Sequence, residues 1–391
     1  MIKGKKMGKR ILIISQAITQ AYLDVLLDAL KEEGIVDIIT GSDVMGADNL
    51  YPSPSHDSTS LKSRLLCWWK HKKFIDKWLR ECPKRYDMIF ATSNPPINSY
   101  IGLKLKKKFN CPFIYMNWDL YPQVIYYTIG NPVVKVICKF WSLWNKLNYP
   151  NIDQMITLGD VVAKSIREEC FRVAITVIPI PVNVDELRPI EKKLNPFAKK
   201  NGLDDKFVVL YSGKMGAGHN IQIILDAAKK LENNPNIKFV FIGNGQKYNC
   251  VENFIKENKS SNILLMPLQN REVFPYSMAC GDIGIVSQED KMAHLFMPSK
   301  TFSMMACGEA IIGICTEHDD LGNLIRENNI GEIITDGDSK RLSEIIEQLY
   351  YNTKLTNEYK VNSRNTALKF SINKIVEEYK KLFREVLNKD A

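Results

Sequence analysis

Short apolar runs alternate with stretches of helical spacing along most of the chain. Residues 11–15 form a buried strand, 21–33 carry helical periodicity, Gly34 ends it, and 36–40 give a second strand. The alternation continues with strands over 86–93 and 111–116, joined by a helix that Pro95-Pro96 opens and that runs through Lys108. A strand over 155–158 and a helix over 160–169 follow. Residues 177–181 then carry two prolines, and Val182-Asn183-Val184-Asp185 reads as a linker. Beyond it, 207–213, 238–242, 263–266, 282–286 and 310–314 are five more strands, with an amphipathic helix over 220–231. This predicts an α/β chain of two domains with parallel sheets, 1–183 and 184–370. Helices are expected over 339–351 and 371–387, and the last segment, 371–391, is expected to cross back toward the first domain.

In such sheets chemistry gathers at the carboxyl ends of strands. Four loops of the second half meet that description. Lys214 to His219 is a glycine-bearing loop, Gly243-Asn244-Gly245 is a second glycine turn, and Pro267-Leu268 ends a third strand. The fourth is Met297-Pro298-Ser299-Lys300-Thr301, which opens a short apolar helix stopped at Gly308. Pro298 fixes the turn and Ser299 or Thr301 is expected to cap the helix. Free amides there, with Lys300 beside them and Lys214 from another loop, suit a diphosphate. In the first half Asp119 is the acid at a strand end, or else the cap of the next turn, and 41–60 is expected to be a mobile loop. No G-x-G-x-x-G follows the first strand, which argues against a dinucleotide site there.

Composition narrows the function. Charged residues make up 25% and apolar residues 45%, so each half can bury a core. The net charge of +9 fits an anionic ligand or membrane surface, and no nucleic-acid-binding signature accompanies it. Nine scattered cysteines without a C-x-x-C pair give neither a disulfide framework nor a zinc site and fit a reducing cytoplasm. The basic residues Lys3, Lys5, Lys6, Lys9 and Arg10 precede an apolar run too short for a signal sequence, and no run would span a bilayer. Two segments mix aromatics with cations. Trp68, Trp69, Phe74 and Trp78 lie among lysines over 66–85, and Val133, Ile137, Phe140, Trp141, Trp144 and Leu147 recur at helical spacing opposite Lys135, Lys139, Ser142 and Lys146. They read either as surface helices with their aromatics in the core or as a peripheral contact with anionic membrane at the inner face of the plasma membrane.

Taken together, Tyr211-Ser212-Gly213-Lys214, Phe241-Ile242-Gly243-Asn244-Gly245, Asp282 to Val286, Pro298-Ser299-Lys300, Met305-Ala306-Cys307-Gly308 and Thr335-Asp336-Gly337-Asp338 follow one another as in family 4 glycosyltransferases. With Asp119-Leu120-Tyr121-Pro122, the chain resembles the bacterial branch that builds O-antigen and capsule polysaccharide. The resemblance implies a GT-B fold, two Rossmann-like domains facing across an interdomain cleft, with nucleotide sugar on the second and a lipid-linked or oligosaccharide acceptor on the first. It implies metal-independent, retaining hexosyl transfer with no cofactor beyond the nucleotide-diphosphate sugar substrate. Lys214 and Lys300 match diphosphate positions, Gly243 to Gly245 and Leu268 would line base and ribose, and Ser299 and Thr301 would bond phosphate oxygens. Gly213, His219 and Ser303 complete the expected donor set, and Asp119 the catalytic one.

This chain departs from the family pattern at several positions. The paired glutamates would fall at Leu295 and Ser303, a second lysine is replaced by His219, expected to carry part of a charge, and a histidine by Trp118. Glu289, Asp290 and His294 lie nearby as substitute contacts or as a solvated loop. The alternatives are a GT-B epimerase acting on nucleotide sugar alone, or a non-catalytic partner subunit of a transferase. Asp336-Gly337-Asp338 reads as a turn and cap rather than a D-x-D metal site.

Overall fold

Strands in this chain form where four or five apolar residues run together, because both faces of each central strand are covered by helices. The computed structural model describes residues 8–57, 60–216, 218–335 and 337–388. It divides into two units, Met1–Pro179 with Asn373–Ala391, and Ile180–Ile372. In the first unit the strands are β1 (Lys9–Ile14), β2 (Gly34–Thr40), β3 (Asn49–Pro52), β4 (Met88–Thr92), β5 (Phe113–Asn117), β6 (Gln154–Thr157) and β7 (Ile175–Val177). In the second they are β8 (Phe207–Lys214), β9 (Ile237–Asn244), β10 (Ile263–Met266), β11 (Ile283–Ser287), β12 (Ala310–Ile314) and β13 (Gly331–Ile334).

The strand orders are β3-β2-β1-β4-β5-β6-β7 and β10-β9-β8-β11-β12-β13. Neighbouring strands run parallel throughout. Each order reverses once, between β1 and β4 and between β8 and β11. Loops leaving the two central strands there diverge, which opens a crevice at the carboxyl edge.

Several boundaries differ from expectation for local reasons. The segment expected to be a loop over 41–60 contains β3, whose alternate residues are exposed. The helix expected from 66 starts at Leu61, because Ser60 and Ser63 cap each other's backbone. A helix over Thr353–Ala367 and the edge strand β13 were not expected at all. The terminal helix Ile372–Asn388 packs on the first sheet, with Phe383 edge-on to Phe90 at 5.8 Å and the Lys9 ammonium donating to the Leu387 carbonyl at 2.6 Å.

The two basic aromatic helices behave differently. Helix Leu61–Glu81 buries Trp68, Ile75 and Leu79, as a surface helix should, although Trp69 stays half exposed. Helix Pro132–Asn148 buries only Cys138 and Asn145. Val133, Val136, Ile137, Phe140, Leu143 and Leu147 face outward, while Trp141 and Trp144 are half-buried against Trp68, Tyr121 and Tyr100. Among the described residues no helix is long and apolar enough to cross a membrane, and no three His, Cys, Asp or Glu side chains are placed to hold a metal ion. Lys3, Lys5, Lys6 and Asp336 lie outside the described residues. Asp338 caps helix Ser339–Tyr351, accepting from the Arg341 amide at 2.8 Å.

Candidate functional site

The crevice of the second unit is built from the ends of β8, β9 and β11 and from helix Lys300–Ala306. At the end of β8, Gly213 adopts φ +128°, a conformation that side chains oppose. A β-carbon on Gly213 would lie 3.4 Å from the Lys300 Cε. Beside it, Gly243 pairs with Gly213, and a β-carbon there would fall 1.9 Å from the Gly213 carbonyl oxygen. Glycine at 243 is therefore a packing requirement. The two glycine turns hold β8 and β9 close where their loops begin.

Helix Lys300–Ala306 delivers Lys300 to this point. Its ammonium sits 3.9 Å from the centroid of the Tyr211 ring, is buried, and has no hydrogen-bond partner. Burial lowers its pKa from 10.5 to about 7. An unpaired cation against an aromatic face is costly to bury, and an anion placed beside it would relieve that cost. Arg364 fixes the far end of the same helix, donating to the Ala306 carbonyl at 2.7 Å and to the Leu187 and Val184 carbonyls at 2.9 Å. A cation at a helix carboxyl end also complements the backbone dipole.

His219 closes the other side. Its Nδ1 donates to the Ser287 carbonyl at 2.6 Å, so Nε2 is the nitrogen left without a proton. Burial, and then the charge of Lys300, pull its pKa down to about 4. It is neutral near pH 7, which corrects the expectation of a partial charge. Positive charge comes instead from Lys247, which the sequence reading missed. Its ammonium donates to the His219 carbonyl at 2.6 Å and lies 3.9 Å from Glu289. Glu289 also pairs with Lys291 at 2.8 Å, and its amide donates to the Gly218 carbonyl at 3.2 Å, so it ties the loop after β11 to the loop after β8. The Ser287 hydroxyl accepts from the Asn220 amide at 2.8 Å.

The remaining expected residues fall as follows. Lys214 is exposed, one residue beyond Gly213, and Asn244 lies opposite it in register. Gly245 follows directly. Ser299 does not cap the helix, since its own backbone is already helical and its hydroxyl makes no cap bond. Thr301 does not cap it either. That side chain lies inside the helix, fully buried, with its hydroxyl unpartnered. Ser303 is half-buried and Leu295 lies in the core. Leu268 is 52% exposed after the edge strand β10, two strands away from β8, so the sheet does not bring it against Lys300.

Asp119 belongs to the first unit, just past β5. The Ser93 hydroxyl accepts from the Trp118 amide at 3.0 Å and the Asp119 amide at 3.5 Å, which holds the turn against the end of β4. Burial raises the Asp119 carboxyl to about 6, and Arg64 opposes the shift. Trp118 packs edge-on to Tyr22 at 5.2 Å.

Comparison with known proteins bears on the fold. Residues 195–366, most of the second unit, match the family model described as glycosyl transferases group 1. A protein named as a colanic acid biosynthesis glycosyl transferase, WcaI of Escherichia coli (strain K12), is 28% identical over 121 residues. That match covers 31% of this chain and 30% of WcaI's own length. Among solved structures, sucrose-phosphate synthase from Thermosynechococcus elongatus superposes with a TM-score of 0.74 at 15% identity, covering 96% of this chain and 98% of that one. Anabaena HepE, solved with UDP and glucose, superposes at 0.73 and 13% identity, covering 96% and 100%. The chain thus has the GT-B-type fold of two Rossmann-like units, and the second unit carries the group 1 glycosyl transferase pattern across the residues that build the Lys300 crevice.

Proposed function

We propose that this protein is a retaining glycosyltransferase that moves a sugar from a nucleotide-diphosphate donor to a lipid-linked or oligosaccharide acceptor in surface polysaccharide synthesis. The observation that carries the reading is the buried Lys300 ammonium, held without an anionic partner at the point where the second sheet reverses its strand order. HepE, of the same fold, was solved with UDP and glucose, which supports a nucleotide sugar as donor.

On this reading the diphosphate takes Lys300 as its buried counter-charge and Lys214 and Lys247 as exposed or half-exposed ones. The sugar C1–oxygen bond to the diphosphate breaks with its electron pair leaving on the phosphate oxygen. A new bond forms from C1 to the acceptor hydroxyl, whose proton passes to a carboxylate or to the departing phosphate. Asp119, ionised above about pH 6, is the carboxylate of the first unit suited to hold that hydroxyl. Neutral His219 offers Nε2 as an acceptor of a sugar or ribose hydroxyl.

The test is a thermal-shift panel of nucleoside diphosphates and nucleotide sugars on the wild type and Lys300→Ala. Stabilisation of the wild type by at least one diphosphate, lost in the variant, is expected. No stabilisation by any of them would overturn the reading. A second reading, a non-catalytic partner subunit, draws on Leu295 and Ser303, neither acidic, where the resemblance places glutamates. It is met if nucleotide binds but no acceptor is glycosylated unless another transferase is present. Incubation with donor alone and a search for an isomerised sugar tests the epimerase alternative.

A further inference from the structure

We infer that helix Pro132–Asn148 lies flat on an anionic lipid bilayer, with its apolar stripe among the acyl chains and its lysines among the headgroups. The helix leaves a continuous apolar stripe uncovered by the rest of the protein. Val133, Val136, Ile137, Phe140, Leu143 and Leu147 are each more than half exposed. At 3.6 residues per turn they fall within about 120° of arc. The face turned inward carries Trp141, stacked on Tyr121 and edge-on to Trp68, together with polar groups. Asn145 donates to the Tyr121 carbonyl at 2.8 Å, Ser142 to Glu169 at 3.2 Å, and Cys138 is buried between them. An amphipathic helix packed for water alone turns such a stripe inward.

Charge selects the occupant. The helix contains no Asp or Glu, and Lys139 and Lys146 are exposed roughly 40–60° beyond one edge of the stripe. A second copy of this chain, docked face to face, would bring the same lysines toward one another, whereas a bilayer bearing anionic headgroups receives them favourably. Because no described helix can cross a membrane, the contact is interfacial.

The placement has a consequence for the acceptor, which rests on the proposed function. Trp141 stacks on Tyr121 with ring centroids 6.3 Å apart and an interplanar angle of 20°, and Asn145 holds the same residue. The Asp119-to-Tyr121 turn is therefore fastened to the inner face of the helix whose outer face meets lipid. An acceptor headgroup carried on a lipid would then need to extend only about one helix diameter, ~10 Å, above the acyl layer to reach that turn.

Co-flotation of the full chain with vesicles tests the contact. Phosphatidylcholine vesicles are compared with phosphatidylcholine–phosphatidylglycerol vesicles, at low and high salt. Binding to the anionic vesicles, weakened by salt, is expected. Lys139→Gln with Lys146→Gln is expected to weaken it by roughly twenty-five-fold, about fivefold for each lysine. Ile137→Asp with Phe140→Asp is expected to abolish it while leaving the melting curve and nucleotide stabilisation unchanged. Absence of binding, equal binding to neutral vesicles, or a lipid-free dimer that these aspartates dissociate would each overturn the inference. Nucleotide binding is read separately, so failure here is distinguishable from failure of the proposed function. If vesicle binding holds, the aspartate variant should lose transfer to a vesicle-borne acceptor but keep transfer to its short-chain soluble analogue. Equal loss with both acceptors would refute the link between the helix and acceptor delivery.

Discussion

Replacing Lys300 by methionine keeps most of its volume and removes the charge, and it should move stability and nucleotide affinity in opposite directions. A fall in pKa from 10.5 to about 7 corresponds to about 5 kcal/mol of disfavour for the charged form. The Tyr211 ring below it acts in the opposite direction, so about 5 kcal/mol is an upper bound on that disfavour. The sign with pH follows from proton counting. Between about pH 7 and 10.5 the unfolded chain holds a proton on Lys300 that the folded chain has lost, so wild-type stability rises with pH across that window. In Lys300→Met this rise should disappear, and the melting temperature near pH 7 should increase by several degrees. A bound diphosphate restores the proton, so wild-type affinity should weaken about tenfold per pH unit above pH 7, with proton uptake visible by calorimetry in two buffers. The variant should bind more weakly and without that slope. A variant that melts lower near pH 7, or that binds nucleoside diphosphate as the wild type does, would refute the reasoning.

Gly243→Ala places a methyl group 1.9 Å from the Gly213 carbonyl oxygen, where backbone must move, and should destabilise the protein by about 3 kcal/mol or more in urea denaturation. Asp37 is buried, accepts from Tyr86 at 2.6 Å and pairs with Arg10 at 3.0 Å. Burial acts to raise its carboxyl, but Tyr86, Asn49 and Arg10 together hold it below 3.8, so its contribution is present above that pH and is lost as pH falls through the lower folded value. Asp37→Ala should cost about 3–5 kcal/mol near pH 7, measured by thermal melting. If Asp119 accepts the hydroxyl proton, kcat/KM should rise with pH and level off above about 6, and Asp119→Asn should be slow and lack that limb. Ser303→Glu puts an acid one turn beyond Lys300 and should flatten the pH slope of nucleotide affinity, read by the same calorimetric titration.

Legibility in the sequence followed burial. Strands such as β5 and β12, wholly buried, leave continuous apolar runs and were readable to within a residue or two. Edge strands β3 and β13 are half exposed, so neither alternation nor an apolar run marks them. Helix Thr353–Ala367 was hidden because its buried face is largely small and polar, with Thr356, Ser363 and Thr366 inside. Around the site, glycine turns and lysines were visible because backbone conformation and charge are local properties. What they touch was not. The Tyr211 ring under Lys300 and the reach of Lys247 to the His219 carbonyl are made by distant segments. The direction of helix Pro132–Asn148 was equally closed to sequence reading, since periodicity defines a stripe without saying whether it faces core or solvent.

With no acid on its helix, Lys300 meets burial without an opposing charge. A glutamate at 303 would stand three residues after Lys300 on a helix, the spacing at which opposite charges pair. With serine there, no acid of that helix can offset the ammonium, and burial acts on it without opposition. His219 is driven neutral by the same burial and by the charge of Lys300, so it adds no competing cation. Glu289 is already paired with Lys291 and within 4 Å of Lys247, which leaves it joining two loops instead of answering Lys300. An anion entering from solvent is then the group that can restore full charge to Lys300, and its binding must be coupled to proton uptake. A crevice with the glutamate in place would bind the same anion against a lysine already paired, with a smaller change in protonation. On the proposed function, serine at 303 would thus shift part of the site's selectivity from fixed charge to the protonation state of a single lysine.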